Sequence, residues 1–277
     1  MNSPMTQSVP ATSESRIKFK NPPINELVIA MYHLPVTEMR SQHIGIYWQR
    51  IRDRYPICEQ QPPIASDTPA ELAMTLQNMA GEVYPLPRFW FSNADQPTLI
   101  QIQRNAFILN WRKGANNSYP QYEEVEKNFW KEFAEYVGFI QETLGNKVDV
   151  VSRCELTYID IIEKNDFFSS PVELKNVLPL VASQCNVHSD RREFVGINST
   201  VTYRINENLL IEISTKLGKR VDTKEMVAML EMKAHGTPTD ISIEGARSWY
   251  QAAHDAIYET FLNITSKRVR QEVWKPL

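Results

Sequence analysis

The stretch VDVVSRCELTYIDIIE, residues 148–163, decides which fold this chain can adopt. Its β-branched and aromatic residues favour an extended strand that is long enough to cross a sheet and continue beyond it. A second apolar run, INELVIAMYHL at residues 24–34, follows two prolines that favour an extended entry. The chain therefore has two strong core strands, and each of them opens one half of the sequence.

The two strands are followed by a similar order of elements. In each half a helical pattern comes next, at residues 39–55 and 171–181, and several strands and a long amphipathic helix come after it. The closing helices are predicted at residues 122–144, before the C-cap Gly145, and after the N-cap Ser242. This repetition predicts a tandem duplication of one strand-helix-meander-helix unit.

The predicted fold class is α+β, in which the tandem duplicated units form one curved antiparallel sheet with the helices packed on one face. Residues 1–20 are polar and proline-interrupted and are predicted to form a disordered tail. Residues 21–146 form the first half and residues 147–277 the second. The proline-rich stretch 59–88 is interpreted as an excursion over the surface with a short helix at residues 70–79.

A hairpin is predicted within the first half. The apolar alternation of residues 99–113 is interrupted at Arg104 and Asn105, where a tight turn fits. The strand before the turn should then place Ile100 and Ile102 opposite apolar residues of the strand that follows it.

Composition narrows the class of protein. The chain has 277 residues, of which 42% are hydrophobic and 23% charged, as in an ordinary globular protein with a large core. A net charge of −3 gives no general support for binding to nucleic acid or to an acidic membrane. The three cysteines are far apart and form no Cys-x-x-Cys pair, which argues against a disulfide framework and a zinc knuckle. We expect a cytoplasmic protein without a membrane-spanning segment.

Motifs for catalysis and for cofactors are missing from the sequence. It contains no glycine-rich phosphate loop, no Gly-x-Ser-x-Gly turn and no histidine spacing typical of zinc enzymes. We therefore predict no cofactor, no metal and no catalytic residue.

Polar residues of the predicted sheet are candidates for binding. Asn110 and Arg112 share one face of a strand, and Glu155 shares a face with Thr157 on another, because side chains alternate with period two. If the two strands are neighbours, Arg112 can pair with Glu155. We interpret such a pair as a structural ion pair at the seam of the two halves. The alternative is a site for an anion or a polar ligand, with Arg112 as the bidentate donor.

Three further candidates are Tyr158 and Asp160, on the strand at residues 148–163, and His254, on the closing helix. Alternation places Glu155 and Glu163 on one face of that strand and Asp160 on the other, so these carboxylates do not form one metal site. The predicted binding residues are Asn110, Arg112, Glu155, Tyr158, Asp160 and His254.

Several short motifs occur in an order shared with a known group of proteins. They are PPINE at residues 22–26, NWR at 110–112, ELTYI at 155–159, and His254 shortly before a Thr-Phe pair. In this combination the chain after residue 20 resembles a sporadically distributed family of uncharacterised bacterial proteins, although Asp160 stands where that family has Asn. The resemblance implies a bacterial origin and a coherent fold, and its patchy distribution implies mobile or defence-associated genes. It implies no activity.

The favoured hypothesis is a non-enzymatic binding or assembly protein with a protein partner, an accessory of a mobile or defence-associated system. One alternative is a hydrolase-like enzyme with a polar site around Arg112, Glu155 and His254. The other is a nucleic-acid-binding module that uses two groups of basic residues. These are Arg50, Arg52 and Arg54 in the first half and Lys267, Arg268 and Arg270 near the C-terminus.

Overall fold

The computed structural model describes residues 16–64, 86–95, 97–114, 118–186 and 192–277. The strands are β1 (Ile24–His33), β2 (Ile57–Gln61), β3 (Arg88–Ser92), β4 (Thr98–Gln103), β5 (Ala106–Arg112), β6 (Val151–Glu163), β7 (Asn198–Asn206), β8 (Leu209–Lys219) and β9 (Met226–Gly236). They form one antiparallel sheet of nine strands in the order β2-β3-β4-β5-β1-β6-β9-β8-β7. This confirms the predicted α+β class. The short helix predicted at residues 70–79 lies outside the described residues.

The long helices pack on one face of this sheet. They are α1 (Ser41–Ile51), α2 (Tyr122–Leu144) and α3 (Ile243–Ile264). α2 contacts β1 and β5, α3 contacts β6, β8 and β9, and α1 contacts α2. The Ser242 hydroxyl accepts a hydrogen bond from the Gly245 N–H at 3.1 Å, which confirms the predicted N-cap of α3. In the second half, short helical turns between residues 171 and 185 replace the single helix predicted there.

Strands β1 and β6 lie side by side at the centre and join the two halves into one sheet. In the first half, β5 returns to pair with β1, and in the second half β9 returns to pair with β6. The halves are unequal, because the first contributes β2 to β5 beside its opening strand and the second contributes only β7 to β9. The duplication of one unit stays a prediction.

The hydrophobic core lies between the sheet and the helices and contains residues of both halves. On β1, Leu27 and Ile29 face the helices and are completely buried. On β5, the ring of Phe107 packs against Phe129 and Phe133 of α2, with ring centroids 5.7 and 5.6 Å apart. Burial of each such side chain contributes about 1.5–3 kcal/mol, so the apolar stripe of α2 fixes this helix on the sheet.

The hairpin in the first half turns at the predicted position and sets apolar residues of its two strands opposite one another. Ile100 lies opposite Leu109 and Ile102 opposite Phe107, and the chain turns at Arg104 and Asn105. Strand β2 was not predicted. It overlaps the start of the stretch 59–88, which was interpreted as a surface excursion, and it pairs with β3 at one edge of the sheet.

The N-terminal segment that the structure describes, residues 16–23, is packed against the C-terminal end of the chain. Phe19 forms a β-bridge with Pro276, and the Lys20 N–H donates to the Lys275 carbonyl at 2.8 Å. The prediction of a disordered tail is therefore wrong for residues 16–20, and residues 1–15 lie outside the described part.

Candidate ligand-binding site

The side chains of β6 alternate, and this alternation sends the candidate residues to two sides of the sheet. Tyr158 and Asp160 lie on the helix side and line a pocket together with His254 of α3. Glu155 lies on the opposite side, as predicted from the period of a strand. The side opposite the three long helices is called the polar face, and its polar and aromatic members include Glu26, Tyr32, Arg88, Trp90, Gln101, Asn110, Arg112, Arg153 and Glu155.

The two charged candidates on the polar face have separate partners. Strand β1 lies between β5 and β6, so Arg112 and Glu155 are not on neighbouring strands and the condition for their ion pair is not met. Arg112 Nε lies 2.9 Å from Glu26 Oε1. Glu155 Oε1 lies 3.2 Å from Arg153 Nη2. The seam of the two halves is therefore formed by the pairing of β1 with β6 and not by the predicted ion pair.

The pocket on the helix side has a volume of about 110 Å³. Six parts of the chain line it: the N-terminal segment, the start of β1, the residues just before and at the start of α2, strand β6, strand β9, and α3. Its walls are mostly aromatic and aliphatic, and the aromatic residues include Phe19, Tyr119, Tyr122, Tyr158 and Phe261. We call it the Asp160 pocket, after the buried carboxyl group that lines it.

Asp160 is the polar group that distinguishes this pocket. Asp160 is only 1% exposed, and its Oδ1 atom has no hydrogen-bond partner among the residues that the structure describes. Burial raises the pKa of Asp160 to about 7, because the charged form loses its hydration in an apolar environment. A buried polar atom without a partner costs about 1–3 kcal/mol, and a ligand that donates a hydrogen bond would remove that cost.

Two tyrosines line the same pocket as this carboxyl group. The hydroxyls of Tyr119 and Tyr158 are 3.3 Å apart. Burial is the main cause that raises the pKa of both phenols, and the charge of Asp160 contributes in the same direction. Both groups therefore remain neutral near pH 7 and can donate or accept hydrogen bonds inside the pocket.

His254 forms part of the wall and is held in one orientation. Its ring stacks on Tyr122 with centroids 3.9 Å apart and lies parallel to Tyr158 at 6.1 Å. Its Nδ1 atom lies 3.1 Å from Arg16 Nη1, and Arg16 also pairs with Asp255. Because Arg16 only donates, Nδ1 accepts and the ring proton is on Nε2. Burial, followed by the charge of Arg16, lowers the pKa of His254 to about 3, so this residue is neutral near pH 7.

The first part of the polar face is a continuous chain of hydrogen bonds. Arg88 Nη1 and Trp90 Nε1 donate to Gln101 Oε1 at 2.6 and 2.9 Å. Gln101 Nε2 donates to Asn110 Oδ1 at 2.6 Å, and Asn110 Nδ2 donates to Glu26 Oε1 at 2.6 Å. Among the described residues Arg88 Nε has no hydrogen-bond partner, but the chain of bonds from Gln101 to Glu26 is continuous and fixes the register of strands β3, β4, β5 and β1.

The second part of the polar face is centred on Glu155. Its Oε2 atom accepts a hydrogen bond from the Tyr32 hydroxyl at 3.1 Å, while Oε1 is paired with Arg153. The guanidinium group of Arg153 lies over the Tyr32 ring, 4.1 Å from its centroid. Both oxygens of Glu155 thus have protein partners, which is the arrangement of a structural ion pair and not of an open ligand site.

Several residues of these sites were not singled out from the sequence. Arg16 was assigned to the disordered tail, and no local pattern connects it with His254 and Asp255, which are 238 and 239 positions away. Arg153 is different: period-two alternation along β6 places it on the same face as Glu155. This signal was available in the sequence.

The basic residues of the nucleic-acid hypothesis are largely engaged within the protein. Arg50 pairs with Glu142, and Arg54 pairs with Glu132 and Glu135. Near the C-terminus, Arg268 pairs with Glu272, and Arg270 donates to the carbonyl of Thr265 at 2.7 Å. These contacts do not favour a cationic surface for phosphate groups.

Within the described ranges, no group of three or more His, Cys, Asp or Glu side chains is arranged to hold a metal ion. In the same ranges no helix combines the length and the apolar composition needed to cross a bilayer. Comparisons with protein-family models, with curated proteins and with solved structures find no match for this chain. The family resemblance of its short motifs therefore stays a prediction, and any function has to be inferred from the sites themselves.

Proposed function

We propose that this chain is a non-enzymatic binding protein that takes a small molecule in the Asp160 pocket. The observation that carries the proposal is the unpartnered Oδ1 atom of Asp160, buried in a pocket whose walls are mostly apolar. Ligand pockets in proteins commonly combine apolar walls with a few polar groups that fix the orientation of the ligand. The neighbouring hydroxyls of Tyr119 and Tyr158 supply two such groups besides the carboxyl.

The arrangement favours binding over the hydrolase-like alternative. That alternative needs Arg112, Glu155 and His254 in one site, whereas the first two lie on the polar face and His254 lines the pocket on the other side of the sheet. His254 is also a weak base here, because its pKa is lowered to about 3 and its Nδ1 already accepts from Arg16. A general base works best with a pKa near the working pH.

The experiment is a ligand screen read by protein NMR, with one variant that fills the pocket. Ile24 lines the pocket, and Ile24→Trp should occupy much of its volume. The matched control is Ile46→Trp on α1, where the side chain is 44% exposed. The proposal predicts that small molecules shift the resonances of Tyr119, Tyr158 and His254 in the wild type and in Ile46→Trp, but not in Ile24→Trp. Absence of any saturable binding in the wild type would refute it.

The broader expectations about this protein stay predictions. A protein partner, membership of the resembled bacterial family and a role beside mobile or defence-associated genes have no test in the geometry of the pocket. Small-molecule binding is compatible with them, because a ligand can accompany an assembly function.

A further inference from the structure

We infer that the Asp160 pocket takes a small organic cation, specifically an alkylammonium ion whose N–H groups are bound by the Asp160 carboxylate and the neighbouring tyrosine hydroxyls. This inference rests on the proposed function and specifies the chemical class of its ligand.

Several charged groups face the pocket. The cation Arg16 lines the pocket, but its Nη1 contacts His254 and its Nη2 is paired with Asp255. Lys18 lines the pocket with an exposed side chain, and the carboxylate of Glu123 is likewise 58% exposed. Of the groups that line the pocket, the carboxyl of Asp160 is the one that is buried and has an oxygen atom without a hydrogen-bond partner among the described residues. An anionic ligand would be repelled at this point, whereas a cation would pair with the carboxylate.

The pocket offers hydrogen-bond acceptors that suit an ammonium group. An ammonium group has donors only, and the carboxylate and phenol oxygens around it can all accept. Asp160 Oδ1 offers one acceptor without a partner. The hydroxyl oxygens of Tyr119 and Tyr158, 3.3 Å from one another, each keep accepting capacity even when one donates to the other. The pocket therefore offers an acceptor for each N–H of a primary ammonium ion.

The aromatic walls and the small volume of the pocket favour a small organic cation. The pocket is lined by Phe19, Tyr122 and Phe261 besides Tyr119 and Tyr158. The negative faces of aromatic rings attract cations, and the apolar surface of the rings can pack against an alkyl chain. A water-sized volume is about 10–15 Å³ on the same measure, so the ligand that fits has on the order of eight non-hydrogen atoms or fewer. The pocket volume of about 110 Å³ suits a short alkylamine better than a nucleotide or a peptide.

The test compares three ligands of nearly equal shape and different charge on the full chain: butylammonium, 1-butanol and butyrate, each titrated by calorimetry and by NMR. The inference predicts saturable binding of butylammonium at pH 8, with an affinity at least roughly tenfold above those of the alcohol and the carboxylate, as expected for a charge-assisted hydrogen bond. Equal or tighter binding of 1-butanol or butyrate would overturn the inference. If that binding is lost in Ile24→Trp, the ligand still occupies the Asp160 pocket and the proposed function stands. Failure of all three ligands to bind would overturn the inference as well.

Two variants locate the interaction. Asp160→Asn keeps the shape of the side chain and removes its charge, and it should weaken butylammonium binding at least roughly tenfold. Asp149→Asn is the matched control, because Asp149 is exposed and lies outside the pocket, and its affinity should equal that of the wild type. An unchanged affinity in Asp160→Asn would overturn the inference. The comparison of ligands on the wild type needs no variant, so the test remains decisive if Asp160→Asn folds poorly.

Discussion

Arg16 Nη1 lies 3.1 Å from His254 Nδ1, although 238 positions separate the two residues in the chain. This contact ties the N-terminal segment to α3 and closes one side of the Asp160 pocket. The same segment is held farther along by the Ile17 N–H, which donates to the Tyr258 hydroxyl at 2.8 Å.

Replacement of Arg16 should loosen this segment. In Arg16→Gln the pairing with Asp255 and the charge beside His254 are lost, so we expect faster amide exchange at Ile17 and a higher pKa of His254. NMR measures both quantities. Lys18→Gln is the control, because Lys18 is exposed. The account of this contact is wrong if the two variants exchange Ile17 at the same rate.

Asp160 should make the stability of the protein depend on pH in a specific direction. Its pKa is about 7 in the folded protein and near 3.8 in the unfolded chain, so the folded state retains a proton through this interval. Stability from this group is present at low pH, decreases as the pH rises from about 4 to 7, and is constant above that.

Asp160→Asn should therefore gain stability relative to the wild type as the pH rises. The difference in the free energy of unfolding should change by roughly 2–4 kcal/mol between pH 4 and pH 8 in favour of Asn. His254, with a pKa of about 3, and Tyr119 and Tyr158, whose pKa values are raised by burial, do not titrate in the folded protein over this range. Denaturant titrations at several pH values measure the difference, and a constant difference would contradict a buried, protonated Asp160.

The polar face makes a separate prediction about stability. Asn110 is 4% exposed and connects Gln101 with Glu26. Asn110→Ala leaves Gln101 Nε2 without its acceptor and removes one of the two hydrogen bonds to Glu26 Oε1, which keeps the bond from Arg112 Nε. We expect a loss of about 1–3 kcal/mol in the free energy of unfolding. Asn198→Ala on β7 is the control, since Asn198 is exposed and should be nearly neutral. Similar losses in both variants would show that the hydrogen bonds of Asn110 do not contribute to the free energy of unfolding.

Two glycines near the end of α2 should respond in opposite ways to the same substitution. Gly145 has a φ angle of 71° at the C-cap, so Gly145→Ala should cost about 1 kcal/mol. Gly138 lies inside the same helix, and a Cβ atom there would meet nothing within 4 Å. Gly138→Ala should stabilise the protein by roughly 0.5–1 kcal/mol. Thermal or denaturant unfolding measures both, and equal effects would argue against the left-handed C-cap.

Local patterns predicted much of the fold. The bounds of α2 agree with the 3.6-residue period of its apolar stripe, and the register of the β4–β5 hairpin agrees with the turn at Arg104 and Asn105. Alternation along β6 correctly separated Asp160 from Glu155. These features depend on residues that are close in the chain, which is why a single sequence reveals them.

The features that were missed depend on contacts between distant parts of the chain. β1 lies between β5 and β6 because of the order of strands in the whole sheet, and no local pattern shows that Arg112 and Glu155 are kept apart. β2 is an edge strand with four exposed residues, so it lacks the apolar alternation that marks a strand. The ordered segment at residues 16–20 is held by the C-terminal end and by α3, and not by its own composition.

The decisive experiment is an NMR titration of the Asp160 side-chain carboxyl carbon, without ligand and with saturating butylammonium. The account predicts that the free protein titrates this carboxyl near pH 7 and that the bound cation lowers its pKa, because pairing favours the ionised form. An Asp160 carboxyl that titrates in the ordinary range without ligand, or whose pKa is unchanged by butylammonium, would contradict the account.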